Sequence, residues 1–242
     1  MSDKKDILNL IKSNIDNFGY HLYLISGSTS PRVLYTIGLK GKLSGEFVFA
    51  GGTYYSNDDV VEVVKLIIEK CIEGNHQNNA NIYLKGVGNF SLKKVDKSWI
   101  DTLMLGATDF HGNNDFDAYQ ITPEEAFMTI DIPDMSKPFS AEVEPIWRYE
   151  KEEWNHKIAP DSCAVTNIDA LQGACITEVV RWEDDQWEMF AGSGPDVPKE
   201  NMRVVPLSTL ITFDPSLEVV TQLEVEAGIW RHSKNDKWEI WD

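Results

Sequence analysis

The sequence predicts an α+β fold in two domains, each a mainly antiparallel or mixed sheet packed against one or a few helices. Short runs of β-branched and aromatic residues alternate with Gly-, Asn- and Pro-containing turns, which is typical of strands. Pro133, Pro138 and Pro145 lie close together near the middle of the chain, and most of the eight tryptophans follow them. We therefore expect one domain at residues 1–145 and a tryptophan-rich, acidic domain at residues 146–242.

The first domain is expected to begin with a helix that Ser2 caps and Gly19 ends, with apolar residues at helical spacing between them. Strands are predicted at residues 20–26, 33–39 and 46–50, because turn-forming residues separate them. A second helix, capped by Asn57 and ended by Gly74, carries a broad apolar stripe and should face a core. The stripe consists of Val60, Val61, Val64, Ile67, Ile68 and Cys71.

The rest of the first domain is predicted to contain a polar loop at residues 74–81 and strands at residues 82–87, 90–95 and 126–132. Residues 99–106 fit either a short helix or a strand. The segment 109–117 contains Asp109, His111, Asp115 and Asp117, an oxygen-rich set that suits either a hydrophilic loop or a weak divalent-cation site. The ligand order of an EF-hand is absent, so no metal ligands are assigned.

The second domain is predicted to contain strands at residues 163–165, 176–182 and 203–205, with a turn or short helix at residues 167–173. A short helix should run from residue 206 to residue 213. Asp214 should cap a following turn or helix, with Pro215 at its first position. A final hairpin is expected to pair residues 227–232 with residues 237–241, placing Arg231 opposite Glu239 and Trp230 opposite Ile240.

Residues 176–190 predict a β-hairpin with three consecutive acids, Glu183, Asp184 and Asp185, at its tip. A turn at Asp184 and Asp185 places Trp182 opposite Trp187. The same register pairs Arg181 with Glu188, Val180 with Met189 and Val179 with Phe190. Such aromatic and charge pairs each contribute roughly 0.2–1 kcal/mol. The tip is either a solvated turn or an acidic contact patch, and the tryptophans are either sheet packing or exposed anchors.

The composition indicates an acidic globular protein with a reducing, cytoplasmic location. The net charge is −17, from 39 acids and 22 bases, which disfavours binding to nucleic acid or anionic membranes. This charge serves either the attraction of cationic partners or solubility alone. The three cysteines have no CxxC spacing, so neither disulfides nor a zinc site is expected. The charged N-terminal segment does not resemble a signal peptide, and no apolar run is long enough to span a membrane.

No catalytic motif is present in the sequence. The five histidines are scattered, and no GxSxG, HExxH or phosphate-binding loop occurs, so we assign no catalytic residues and no cofactor. The isolated Gly86 and Gly88 lie in a hairpin setting and do not form a dinucleotide fingerprint. A catalytic group assembled in space, with a site in the first domain, remains an alternative.

Three segments of the first half carry a family resemblance: residues 34–39 (LYTIGL), 46–52 (EFVFAGG) and 130–134 (IDIPD). They resemble the bacterial domain-of-unknown-function family 4262 over about residues 5–145. The sequence departs from that family at residues 44–46 (SGE), where the family has a His-Pro-Glu-like run. The resemblance implies an α+β fold and no established chemistry.

The second half resembles a different family over about residues 160–242. The matching pieces are residues 163–166 (CAVT), 187–192 (WEMFAG), 200, 203–205 (RVV), 214–217 (DPSL) and 226–231 (EAGIWR). They resemble domain-of-unknown-function family 2185, which is related to immunity proteins of bacterial polymorphic toxin systems. The resemblance implies a small β-rich α+β domain and toxin neutralisation.

These observations together predict a non-enzymatic binding protein, namely a bacterial immunity protein that neutralises a cationic toxin through an acidic surface. The expected contact residues are Trp182, Glu183, Asp184, Asp185 and Trp187. A regulatory or structural module that binds another protein or a small ligand is the first alternative, and a hydrolase is the second. The sequence does not indicate an oligomeric state.

Overall fold

A computed structural model describes residues 4–27, 29–74 and 80–241, and these residues form an α+β fold with two six-stranded mixed sheets. The helices are α1 (Lys4–Phe18), α2 (Asn57–Gly74), α3 (Lys97–Leu103), α4 (Leu105–His111), α5 (Ile168–Leu171) and α6 (Leu207–Phe213). The strands of the first sheet are β1 (His21–Ile25), β2 (Val33–Ile37), β3 (Glu46–Ala50), β4 (Asn81–Leu84), β5 (Gly88–Lys94) and β6 (Ala118–Pro123). Those of the second sheet are β7 (Cys163–Asn167), β8 (Glu178–Glu183), β9 (Gln186–Phe190), β10 (Met202–Pro206), β11 (Gly228–Trp230) and β12 (Glu239–Ile240). Ser2, the predicted cap of α1, and residues 75–79 of the predicted polar loop lie outside the described residues.

The first sheet has helices on both faces, with the strand order β1-β2-β3-β6-β5-β4. Within the described residues, β3 and β6 are its one parallel pair. Alternate residues of β2 point to opposite faces, so Leu34 packs with α2 while Val33 and Tyr35 pack with α1, α3 and α4. The fold therefore buries this sheet on both sides, and its central strands β2 and β3 are apolar throughout except for Thr36 and Glu46.

The strand predicted at residues 126–132 is wrong, and the strand that completes the sheet is β6. Residues 125–127 form a 3-10 turn. The polar Gln120 interrupts the apolar pattern of β6, although its side chain is buried. Its amide nitrogen donates to the Pro133 carbonyl at 2.7 Å, and its amide oxygen accepts from the Met135 backbone at 3.2 Å. A buried amide that is satisfied by a later loop has no signature in local sequence.

Helix α2 agrees with the predicted range, but its N-terminal cap is Ser56 and not Asn57. The Ser56 hydroxyl accepts from the Asp59 backbone N–H at 3.1 Å, and the Asp59 carboxylate accepts from the Ser56 N–H at 3.0 Å. This reciprocal pair is a capping box. The Asn57 side chain instead accepts from Arg32 at 2.9 Å. Residues 99–106, which fitted either a helix or a strand, belong to α3 and α4.

The second sheet has the strand order β10-β7-β9-β8-β11-β12, and β7 with β9 is its parallel pair among the described residues. Helices α5 and α6 and the 3-10 segment Pro215–Gln222 cover one face of it. Asp214 caps that segment by accepting from the Ser216 N–H at 3.1 Å, as predicted. We call the opposite face of this sheet the outer face.

The predicted hairpin forms from β8 and β9, but its predicted register is wrong by one residue beyond the tip. Glu183 pairs with Gln186, which leaves Asp184 and Asp185 as the turn. A bulge at Trp182 then shifts the ladder, so Arg181 pairs with Trp187 and Val180 pairs with Glu188. Neither turn aspartate has positive φ, which excludes the primed turn that suits a regular two-residue hairpin. The bulge supplies the extra twist that this turn lacks.

The register predicted for the final hairpin is also wrong by one residue. Trp230 pairs with Glu239 and Ile229 pairs with Ile240. A one-residue shift sends every side chain to the opposite face, so Arg231 no longer faces Glu239. Its guanidinium is buried, with Nη2 at 3.2 Å from the Asp214 carboxylate and Cζ at 4.2 Å from the centre of the Trp238 ring. The arginine therefore joins the sheet to the segment that covers it.

The two sheets contact each other through backbone and side chains. The Arg203 guanidinium of β10 donates to the Tyr54 carbonyl at 2.8 and 2.9 Å, and the Ile130 N–H donates to the Leu171 carbonyl at 2.8 Å. Trp147 lies in the core of the first sheet, and its indole donates to the Asp131 carbonyl at 3.1 Å. The segment after residue 145 therefore completes the first core before the chain enters the second sheet.

Candidate functional site

A cleft with a volume of about 1320 Å³ lies at the tip of the β8–β9 hairpin. We call it the acidic cleft. Its walls are the hairpin tip at residues 181–185, the segment 155–159 and the segment 218–225. Among the described residues, its lining carboxylates are Glu183, Asp184, Asp185, Glu218 and Glu224.

Arg181 holds the hairpin tip in place from beneath the cleft. Its guanidinium donates to the backbone carbonyls of Leu223 at 2.6 Å, Asp184 at 2.8 Å and Glu183 at 3.2 Å. The other side of the guanidinium packs over the Trp187 ring, 4.8 Å from its centre. Because backbone carbonyls accept from these donors, Arg181 makes only a long ion-pair contact with the acids of the tip. The Asp184 side chain is 98% exposed and lies 3.9 Å from the Arg181 guanidinium.

The structure brings four of the five predicted contact residues to the acidic cleft. Trp182, Glu183, Asp184 and Asp185 are exposed and line it. Trp187 does not, because it is 1% exposed in the core of the second sheet. The bulge at Trp182 separates the two tryptophans, which the predicted register had placed side by side. Trp187 therefore supports the site by packing, while Trp182 is available to a partner.

The wall opposite the tip contains a hydrogen-bonded chain of Tyr149, His156 and Glu218 that sequence reasoning missed. His156 Nδ1 lies 3.0 Å from Glu218 Oε1, and His156 Nε2 lies 3.2 Å from the Tyr149 hydroxyl. The imidazole is also packed on Trp154, with ring centres 4.3 Å apart. Only the spacing of Tyr149, Trp154 and His156 in one segment was visible in the sequence, since Glu218 comes from a distant 3-10 segment.

The hydrogen-bonded chain of Tyr149, His156 and Glu218 is better suited to stabilising the wall of the cleft than to nucleophilic chemistry. Burial raises the pKa of the Tyr149 hydroxyl, which keeps the phenol protonated. With its proton on Nδ1, His156 donates to Glu218 and accepts from Tyr149, so each polar atom has a partner. These hydrogen bonds connect the segment that follows the first core to the segment that covers the second sheet. The geometry of the acidic cleft depends on this connection.

Among the described residues around the first sheet, His111 lies 3.0 Å from the Glu46 carboxylate. Glu46 is fully buried at the start of β3 and accepts hydrogen bonds from the Thr36 hydroxyl and from the backbone N–H groups of residues 38–40. His111 is the fifth donor candidate and is itself mostly buried. A carboxylate enclosed by this many donors orders the turn between β2 and β3 and has no lone pair directed at a cleft.

Residues 14–126 match the family model described as Domain of unknown function (DUF4262). The match confirms the predicted resemblance of the first half over this range. It includes all six strands of the first sheet and ends before Asp131 and Trp147, which close the core. No curated protein and no solved structure matches the chain significantly. The comparisons do not support the resemblance of residues 160–242 to family 2185, which stays a prediction.

Within the DUF4262 segment, the structure does not bring the acids of residues 109–117 together around a common point. His111 turns to Glu46, and the Asp117 carboxylate pairs with Lys94 at 2.9 Å. No group of three or more His, Cys, Asp or Glu side chains is placed to hold a metal ion in the described ranges. The three cysteines are free thiols, and burial raises the pKa of Cys71 to about 11.

None of the helices in the described part of the chain is both long and apolar enough to cross a membrane.

Proposed function

We propose that this protein binds a cationic protein partner in the acidic cleft and that the partner is a bacterial toxin. The observation that carries the proposal is the arrangement of five carboxylates around one cleft of about 1320 Å³ beside the half-exposed Trp182. The choice of a toxin as the partner rests on the predicted resemblance of the second half to family 2185. On this proposal the protein acts by occupying the toxin's basic surface, without a chemical step.

The electrostatics of the cleft favour a basic protein surface. Most of its carboxylates are solvent-exposed, so each contributes mainly to the rate and selectivity of association and less to final affinity. An exposed tryptophan at the edge of such a patch supplies the apolar contact that typically dominates interface energetics. The net charge of −17 adds a long-range attraction for cationic proteins and a repulsion of nucleic acid.

A co-expression experiment tests the proposal. The products of the genes that neighbour the protein's own gene are tested for toxicity, and a toxic product is co-expressed with the protein. Growth rescue and the dissociation constant are then measured. We expect rescue by the wild-type protein. The triple variant Glu183→Gln, Asp184→Asn, Asp185→Asn should bind roughly tenfold more weakly at low salt. The difference should shrink as salt is raised, because the removed charges are exposed.

The matched control is Glu62→Gln, Glu69→Gln, Glu142→Gln, which removes the same charge from exposed positions outside the cleft. This control should keep wild-type affinity to within about twofold, because none of the three positions lines the cleft. Equal weakening by both triple variants would assign the effect to net charge and overturn the cleft as the binding site. If the wild type neither binds the toxin nor rescues growth, the proposal that the partner is a toxin is wrong.

A further inference from the structure

A second cavity, of about 360 Å³, lies on the outer face of the second sheet and shares Trp182 with the acidic cleft. We call it the tryptophan pocket. Two indoles, two apolar side chains and two carboxylates define it: Trp182, Trp241, Val180, Phe190, Glu178 and Glu188. Val180 and Phe190 are buried, whereas Trp182 is 50% and Trp241 is 42% exposed. The pocket therefore has an apolar floor and indole surfaces open to solvent.

Backbone features place both tryptophans at the pocket. The bulge in β8 positions Trp182 at the end of the ladder, between the acidic cleft and the outer face. Trp241 rests directly on the sheet at Gly228, where a Cβ atom would lie 2.7 Å from the indole. Gly228 pairs with Val180 in the neighbouring strand, which sets the Trp241 ring beside the floor of the pocket. The absence of a side chain at Gly228 is what allows this close approach.

The same domain twice stacks an arginine on a tryptophan. Arg181 covers Trp187 with its guanidinium carbon 4.8 Å from the ring centre, and Arg231 covers Trp238 at 4.2 Å. Within the residues that the structure describes, neither Trp182 nor Trp241 has a cation over its ring. Indole faces attract guanidinium groups by about 0.5–1 kcal/mol at exposed sites, and by more where water is excluded.

Glu188 adds a carboxylate that has no partner among the described residues. It is half-buried in the central strand β9, between Val165 on one side and Val180 on the other. With the bulge at Trp182, the Arg181 side chain lies on the inner face of the sheet and does not reach Glu188. Glu188 therefore forms no ion pair or hydrogen bond with any residue that the structure describes. Glu178 uses one oxygen to accept from the Gly194 N–H at 2.7 Å. A pocket lined by two carboxylates and two indoles matches a cation that carries both charge and a flat face.

We infer that the tryptophan pocket binds a guanidinium group, with Trp182 and Trp241 contacting its faces and Glu188 accepting its N–H donors. If the proposed function holds, this group is an arginine side chain of the partner, and the rest of the partner's basic surface lies across Trp182 in the acidic cleft. The pocket itself requires only the guanidinium chemistry. It can therefore be tested without the partner.

The test uses N-acetyl-arginine methylamide as the probe and the uncharged N-acetyl-citrulline methylamide as its matched control. Both are titrated into the full-length protein, and the indole N–H signals are followed by NMR. Trp182→Phe and Trp241→Phe assign those signals. We expect the arginine probe to bind with a millimolar dissociation constant and to shift both indole signals. The citrulline compound should leave them in place.

Three variants distinguish binding of the probe in the pocket from nonspecific attraction by the protein's net charge. Glu188→Gln keeps shape while removing the charge and should weaken the arginine probe by roughly two- to fivefold. Trp241→Leu should abolish the shift at Trp182 and weaken binding similarly. Glu224→Gln, which changes the acidic cleft only, should bind the probe as the wild type does.

Absence of probe binding to the wild type, or equal affinity in Glu188→Gln, would overturn the pocket. Toxin binding that is lost in the acidic-cleft triple variant but unchanged in Glu188→Gln and Trp241→Leu would overturn the pocket as the site of the partner's arginine, while leaving the proposed function in place. Probe binding at the pocket without any toxin binding would overturn the proposed function alone.

Discussion

Removing the Asp214 carboxylate should destabilise the second sheet more than removing an exposed acid. The carboxylate is 7% exposed and holds the buried Arg231 at 3.2 Å. It also accepts from the Ser216 N–H at 3.1 Å and from the Ser216 hydroxyl at 2.8 Å, and Lys234 lies 3.4 Å away. Asp214→Asn keeps the size of the side chain but leaves the buried guanidinium without its anion.

The expected loss follows from which groups lose their partners. Breaking a buried ion pair by removing one member costs about 3–5 kcal/mol, because the remaining charge stays desolvated. The Trp238 ring over Arg231 keeps part of its stabilisation, so we expect the lower half of that range. A chain of this size loses roughly 2–4 °C in Tm for each kcal/mol. Asp214→Asn should therefore lower Tm by roughly 6–15 °C.

Thermal unfolding followed by circular dichroism measures this shift, with Asp236→Asn as the control in an exposed nearby turn. Replacing both members of the pair with apolar residues, in Asp214→Leu with Arg231→Met, should recover stability relative to Asp214→Leu alone. A Tm for Asp214→Asn within about 2 °C of the wild type would refute the reasoning, because the buried guanidinium would then not depend on its anion.

The same pair predicts an acid dependence. Burial alone would raise the pKa of Asp214, but hydrogen bonds from Ser216 and the charges of Lys234 and Arg231 outweigh it and hold the pKa below its ordinary value of 3.8. The carboxylate therefore contributes stability above its unfolded pKa, and this contribution is lost as pH falls through the folded pKa. The stability difference between wild type and Asp214→Asn should be constant near neutral pH and shrink below about pH 4.

Three further predictions concern the first sheet. Glu46→Gln should cost about 2–4 kcal/mol in urea unfolding, since the buried carboxylate accepts several hydrogen bonds at once. Gly51→Ala should cost more than Gly27→Ala, because both have positive φ but a Cβ at Gly51 meets a backbone carbonyl at 2.1 Å, whereas Gly27 faces open space. Cys71, with its pKa raised to about 11, should resist an aromatic disulfide reagent at pH 8 until the protein unfolds, whereas Cys175 should react first.

Each of these has its own control. Glu69→Gln, on the exposed side of α2, should leave urea unfolding within about 0.5 kcal/mol of the wild type, and an equal loss there would remove the argument for Glu46. Equal losses at the two glycines would show that backbone conformation alone sets the cost. For the thiols, Cys71→Ser should leave the number of fast-reacting thiols unchanged. A smaller number in this variant would contradict the prediction that Cys71 is protected.

The elements that sequence reasoning found are those whose signals are local. The β8–β9 hairpin, α2 and α6 each combine periodic apolar residues with turn or capping residues. Both hairpin registers failed by one residue. In β8–β9 the reason is the bulge at Trp182, which a pairing of charges and aromatics across the strands ignores. Arg181 shows the cost of that omission, since its donors serve backbone carbonyls and not Glu188.

The candidate site was predictable only in part, for a different reason. The acids of the hairpin tip are contiguous in sequence and were identified there. The opposite wall comes from two separate segments, joined where His156 meets Glu218. Trp241 reaches the tryptophan pocket only because Gly228 lets it lie on the sheet. Contacts of this kind depend on tertiary packing, which no local pattern records.

The parallel pairing of β3 with β6 also constrains how the chain folds as it is synthesised. Glu46 pairs with Ala118, so the two ribbons β1–β2–β3 and β4–β5 stay unconnected until β6 has left the ribosome. The core then remains open until Trp147 arrives and donates to Asp131. Non-local pairing of this kind slows folding and leaves strand edges exposed meanwhile. We therefore expect the exposed strand edges of the first sheet to need a chaperone most while the chain is still being synthesised.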